Sequence, residues 1–241
     1  MSSQAEYVLT IISNAFFIIP TIEAFRKHRY TRAMLYIGVI VFSSMYHTCS
    51  SFYGACAFNA NFHRQLDYFF AQFTIPATAL YIIIFPQEIL FLERVLLIIY
   101  AVLVVILQSQ LGEVLLGQLI LVASSFGFII LYWGVYALYQ WSHTKKGRYF
   151  PDYDWNQFVW GIGLTAVASS LFVVEAEGPD ARWASHSIWH IVGALGQFFI
   201  LRIREEAPRY ANMDSLIRSH AVGRWAEKHL LLDHHTPESR V

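Results

Sequence analysis

Seven apolar runs constrain this chain more than any other feature. Residues 7–25, 33–50, 66–85, 89–107, 114–139, 155–174 and 185–203 are each predominantly apolar. Each is close to the roughly 20 residues that a helix needs to cross the hydrocarbon of a bilayer. None shows the strict alternation of a barrel strand. The predicted fold class is therefore all-α, an integral membrane bundle of seven transmembrane helices. Charge agrees: 56% of the 241 residues are hydrophobic and 14% charged, against roughly 25% charged in soluble domains. The formal net charge is zero, so no nucleic-acid partner is expected.

Lysine and arginine crowd one set of helix ends. Arg26, Lys27, Arg29 and Arg32 follow the first run, and Arg94 lies near the turn between the third and fourth. Lys145, Lys146 and Arg148 separate the fifth from the sixth, and Arg202, Arg204 and Arg209 close the seventh. The opposite loops carry only Arg64 and Arg182. Cytosolic loops are the basic ones, so the N-terminus is expected outside and the C-terminus in the cytosol. Glu6 rather than a basic segment precedes the first run, and no small-residue cleavage site follows it. That run reads as a retained helix. Residues 1–204 form the expected bundle and 205–241 a cytosolic tail. In the tail Met213, Leu216, Ile217, Ala221, Trp225 and Leu232 fall near helical spacing among basic residues. This is the pattern of an amphipathic helix lying on a membrane surface.

The chemistry concentrates at the other set of ends. His186 and His190 are four residues apart at the start of the seventh run, which stacks both imidazoles on one helix face. The second run crosses the membrane in the opposite sense to the first and ends Ser43-Ser44-Met45-Tyr46-His47. Topology therefore puts His47 at the level of His186 and His190, with Ser43 one turn below it. Intramembrane histidines also serve as hydrogen-bonded glue between helices, and both readings stand at this point. Asp67 is a carboxylate among apolar residues at the same level. A metal site would partner it, as would His63 or Arg64. The only cysteines, Cys49 and Cys56, fall on the oxidising side, where a disulfide or two buried thiols fit.

Smaller expectations complete the reading. Pro20 should kink the first helix, and Glu23 should pair with Arg26 and Lys27. Gln108, Gln110 and Glu113 read as a solvated turn, and Glu175, Glu177 and Asp180 as an acidic one. Gly117, Gly127, Gly161 and Gly163 read as sites of close helix packing.

Three neutral imidazoles with an open fourth position form a workable zinc shell, in which zinc lowers the pKa of a water toward ~7. Asp67 would then hold and deprotonate that water, and Ser43 would hydrogen-bond it or a developing oxyanion. The same three ligands serve equally as a structural clamp between helices.

Ser43-x-x-x-His47, Asp67 and His186-x-x-x-His190 across seven helices resemble the signature shared by alkaline ceramidases, adiponectin-type receptors and the transmembrane-protein-8 family. Tyr46-His47-Thr48-Cys49, Leu66-Asp67-Tyr68 and His186-Ser187-Ile188-Trp189-His190 are most similar to that last family. The chain opens directly on its first helix, as the family's muscle-cell fusion member does. The resemblance implies a plasma-membrane protein, delivered through the secretory pathway, that promotes myoblast fusion at the lipid-mixing step. Zn2+ is implied on His47, His186 and His190, with Ser43 and Asp67 in support. Membrane lipids are the implied partners, and a homodimer and a separate fusion partner protein are compatible with the resemblance. Fusion members end in a lipidated, cysteine-rich tail, whereas this tail has no cysteine. The alternative is a zinc-dependent intramembrane lipid hydrolase, ceramidase-like or phospholipase-like, with Ser43 and Asp67 catalytic. The fusion role requires no turnover.

Overall fold

The computed structural model describes residues 4–51, 58–83, 90–111, 114–143, 151, 153–177 and 182–203. The chain divides into two units, Met1–Arg204 and Glu205–Val241. The expected amphipathic tail segment, Glu113 and Asp180 lie outside the described residues.

Every regular element among the described residues is helical. The first rod is composite: α1 (Gln4–Ser13), a 3-10 turn (Asn14–Phe17) and α2 (Ile18–Arg26). Pro20 explains the break. It has no N–H to give the Phe16 carbonyl, so the chain tightens to 3-10 geometry just before it. A tight turn follows, with His28 in the left-handed region at φ 55°, and leads into α3 (Tyr30–Ser51). Then come α4 (Ala60–Ile82), α5 (Leu90–Leu111), α6 (Val114–His143), α7 (Trp155–Glu177) and α8 (Arg182–Leu201).

Several boundaries differ from expectation, each for a local reason. The fourth helix starts at Ala60, ahead of the apolar run that begins at 66, because the Asn59 side chain caps it, accepting from the Asn61 N–H at 2.9 Å. His63 is therefore helical. Gln108 and Gln110 belong to α5, not to a turn, and Gln108 Nε2 donates to Gln72 Oε1 of α4 at 3.3 Å. Glu175 and Glu177 continue α7. Asp154 caps the start of α7, its carboxylate accepting from the N–H groups of Asn156 and Gln157.

Among the described residues, three segments are long and apolar enough to cross a membrane: Val8–Arg26, Phe91–Gln110 and Leu119–Tyr139. Ile98, Val102 and Val105 of α5, with Ile130, Leu131 and Val135 of α6, are all exposed. A broad apolar surface of this kind belongs in lipid, and the protein is an all-α, membrane-type chain. Helices α3, α4 and α8 are less apolar because they bury Ser43, His47, His63, Asp67, Gln72, His186, His190 and Gln197. These are also the helices that carry the candidate site.

Packing sets where those side chains meet. The first rod packs against both α3 and α8. Helix α4 touches α3, α5, α6 and α8. One core forms around Phe17, Tyr36, Tyr81, Ala194 and Leu201, and a second around Leu80, Tyr100, Val104 and Leu121. Helix α7 packs extensively on α8. A Cβ on Gly161 would stand 3.0 Å from the Ile200 backbone nitrogen, and one on Gly196 3.0 Å from that of Thr165. Only glycine lets the two backbones come this close. Gly163 and Gly127, expected to act in the same way, face open space.

Candidate metal centre

His47 is on α3 and His186 and His190 on α8, all three buried, and their ligand nitrogens lie within 4.8 Å of one another. His47 Nε2 and His186 Nε2 are 2.8 Å apart, a contact that requires a proton between two lone-pair nitrogens. A metal bound by both nitrogens would need that proton to leave them, because neutral imidazole ligates through a lone pair. Ring centroids of His186 stand 4.6 Å from those of both His47 and His190. Two nitrogens on one tetrahedral zinc stand roughly 3.3 Å apart, so the cluster is within small ring rotations of that arrangement.

His190 carries the most telling atom. It is fully buried, 0% exposed, and its Nε2 has no hydrogen-bond partner among the described residues. Buried polar atoms are nearly always paired, so an orphan beside two other imidazoles calls for an ion or a water. Ser43, also 0% exposed, has an unpaired Oγ one turn below His47. The donor set, three buried neutral nitrogens with no charged first neighbour in the group, fits a divalent borderline metal.

Asp67 is buried on α4, at 3% exposure, next to α3. It does not join the close group of three, so a place outside the ligand set suits it. His63, one turn earlier, is buried with Nδ1 unpaired. Glu23, at the opposite end of the bundle, lies 3.6 Å from Arg26 and 4.0 Å from both Lys27 and Arg202. Cys49 is disulfide-bonded. Cys56, the chain's other cysteine, lies outside the described residues.

Sequence reasoning missed the contribution of the first rod. Ser13 Oγ lies 2.8 Å from His190 Nδ1, and Thr10 Oγ1 lies 3.2 Å from Ser187 Oγ. The available signal was two hydroxyl residues three apart in an apolar run, one face of a helix. Trp189 was also missed: its ring centroid stands 4.4 Å from that of His190, and its indole N–H points at His186 Nδ1 at 3.4 Å. Trp189 lines a cleft together with Gln72 and Ile75 of α4, Thr165 and Ala168 of α7, and Gln197 of α8. This cleft is mixed in character, and Trp189 is the wall between it and the histidines.

Residues 2–191 match the model of a family described as a protein of unknown function, DUF3522. No curated protein matches the chain.

Proposed function

The chain belongs to the DUF3522 family, whose function is unknown; from the sequence resemblance and the histidine site together we propose a seven-span plasma-membrane protein that promotes cell–cell fusion around a zinc clamp. In this reading the N-terminus and the histidines face outward and the C-terminus is cytosolic. It acts at the lipid-mixing step between myoblasts, as a protein of the transmembrane-protein-8 family resembling myomaker. Membrane lipids are its partners, with a homodimer and a separate fusion protein as further candidates.

One observation carries the clamp. The histidines join α3 to α8, two helices that both pack on the first rod and have few close backbone approaches to each other. An ion on His47, His186 and His190 would tie together elements whose direct packing is slight, and so contribute to folding outright. The fusion assignment itself is supported by the local text around His47, Asp67 and His186–His190.

A second reading, a zinc-dependent lipid hydrolase, is favoured by the unpaired Ser43 Oγ and the buried Asp67. Zinc bound by these histidines would supply Lewis acidity. Ser43 would donate a hydrogen bond to an oxyanion, and Asp67 would accept a proton. The cleft beside Trp189 would take the lipid.

Cell mixing in otherwise non-fusing cells separates the readings. The clamp predicts that Asp67→Asn, which keeps shape but removes proton acceptance, retains zinc and most mixing. His186→Ala should lose both. Asp67→Asn with normal zinc and surface level but no mixing would overturn the clamp in favour of lipid chemistry. Orientation is checked separately: a tag before Tyr7 should stain on intact cells and one after Arg240 only after permeabilisation. The reverse pattern would put the histidines on the cytosolic side.

A further inference from the structure

The first rod reaches His190 through the Ser13 hydroxyl and the Thr10 backbone. Ser13 Oγ lies 2.7 Å from the Thr10 carbonyl, to which it donates, and 2.8 Å from His190 Nδ1. A serine hydroxyl has one hydrogen, and a carbonyl can only accept. That hydrogen is spent on Thr10, so the proton in the second contact must come from the imidazole. His190 is then the Nδ1–H tautomer, and its Nε2 carries a bare lone pair. The opposite assignment would place the ring proton on Nε2, a buried atom with no acceptor among the described residues. Two independent features, the occupied hydroxyl hydrogen and the orphaned Nε2, select the same tautomer.

We propose that Ser13 is a positioning residue of the metal centre, holding His190 as the Nδ1–H tautomer so that Nε2 faces the ion. The inference rests on the metal reading above and extends it to a third helix. A ligating histidine commonly donates its second ring N–H to an oxygen that fixes both tautomer and ring orientation, and loss of that oxygen typically costs 10–100-fold in metal affinity. Here the oxygen comes from the rod that packs on both α3 and α8, 177 residues away in sequence. The Thr10 carbonyl in turn orients the hydroxyl, so the acceptor is aimed before any metal arrives.

The test uses the full chain in detergent, with zinc affinity measured by competition against a chelator. Ser13→Ala should weaken zinc binding about 10–100-fold, and Ser13→Thr, which keeps a hydroxyl, should restore it to within a few-fold. Thr10→Val removes the Thr10–Ser187 contact but leaves the carbonyl, and should bind zinc like the wild type. A purely structural role for Ser13 would not separate these variants. With cobalt(II) in place of zinc, Ser13→Ala should shift the visible d–d bands and Thr10→Val should not. Wild-type affinity together with an unshifted cobalt spectrum in Ser13→Ala would overturn the proposal and leave the metal reading intact. Should Ser13→Ala fail to fold, Ser13→Cys decides: a thiol is a weak acceptor, so unchanged affinity there also overturns it. A wild-type protein that binds neither ion would sink the metal reading, and this inference with it.

Discussion

The two ends of the bundle differ in how they hold buried polar groups: the arginine end matches several donors to helix carbonyls, although Arg29 Nε and Gln157 Oε1 stay unmatched there. At the arginine end, donors are matched to helix termini. Arg32 donates to the Ala77 carbonyl, lies 3.2 Å from Glu93 and sits 4.6 Å above the Tyr81 ring. The Tyr81 hydroxyl and Lys27 Nζ both donate to the Leu201 carbonyl, at 2.9 and 2.8 Å, and the Tyr153 hydroxyl donates to the Ile82 carbonyl at 2.7 Å. Leu201 and Ile82 are the last residues of α8 and α4, where carbonyls lack partners within their own helix. Side chains from other helices complete them. At the histidine end, His190 Nε2, Ser43 Oγ and both polar atoms of the Asn14 side chain are buried and unmatched. A paired polar group holds a fold together, whereas a cluster of unpaired ones is costly unless something else completes it. The first end is largely closed by its own side chains, and the second brings three histidines close enough to hold an ion.

That contrast is most exposed to failure at the histidines. His190→Ala should reduce zinc binding by more than 100-fold and bring the unfolding temperature of the zinc-treated protein down to that of the metal-stripped wild type. Metal analysis alongside thermal unfolding checks both halves. A fully loaded His190→Ala would mean that the orphaned Nε2 has another purpose.

The opposite end should lose stability without losing metal. Arg32→Met leaves Glu93 without its ion-pair partner, and breaking a buried pair typically costs about 3–5 kcal/mol. Glu93 retains some exposure, its side chain 17% accessible, which places the expected loss near about 3 kcal/mol. Zinc stoichiometry should stay at one per chain. If metal disappears together with stability, the two ends are energetically coupled and the division drawn here is wrong.

Tyr81→Phe should give the smallest effect. It removes one donor from the Leu201 carbonyl, which Lys27 still serves, so a loss of about 0.5–1 kcal/mol is expected. A denaturation midpoint with zinc present would measure it. A loss several times larger would show that Lys27 cannot replace the phenol.

Much of the candidate site was legible in the chain itself. His186 and His190 declare their shared face by spacing alone, and counting crossings puts His47 at their level. Ser43, one turn from His47, follows from the same periodicity. The pairing of Glu23 with Arg26 and Lys27 is equally local, three and four residues apart. Ser13 was not legible. A serine in an apolar run is ordinary in membrane helices, and no periodicity links it to a residue on the last helix. The start of α4 lies ahead of its apolar run because a single capping side chain, Asn59, sets it, and a cap leaves no mark in hydropathy.

The sequence by itself determined the helical, membrane-type architecture and which three histidines come together. Hydrocarbon burial and helical period act on neighbours along the chain, so both can be read locally. Only the tertiary structure decided that the first rod packs on both α3 and α8, that Ser13 rather than Asn14 meets His190, and that Nε2 is the atom left without a partner. Those outcomes depend on how helices distant in sequence pack side by side. A buried atom becomes an orphan, or ceases to be one, through shifts of an ångström that no residue spacing encodes.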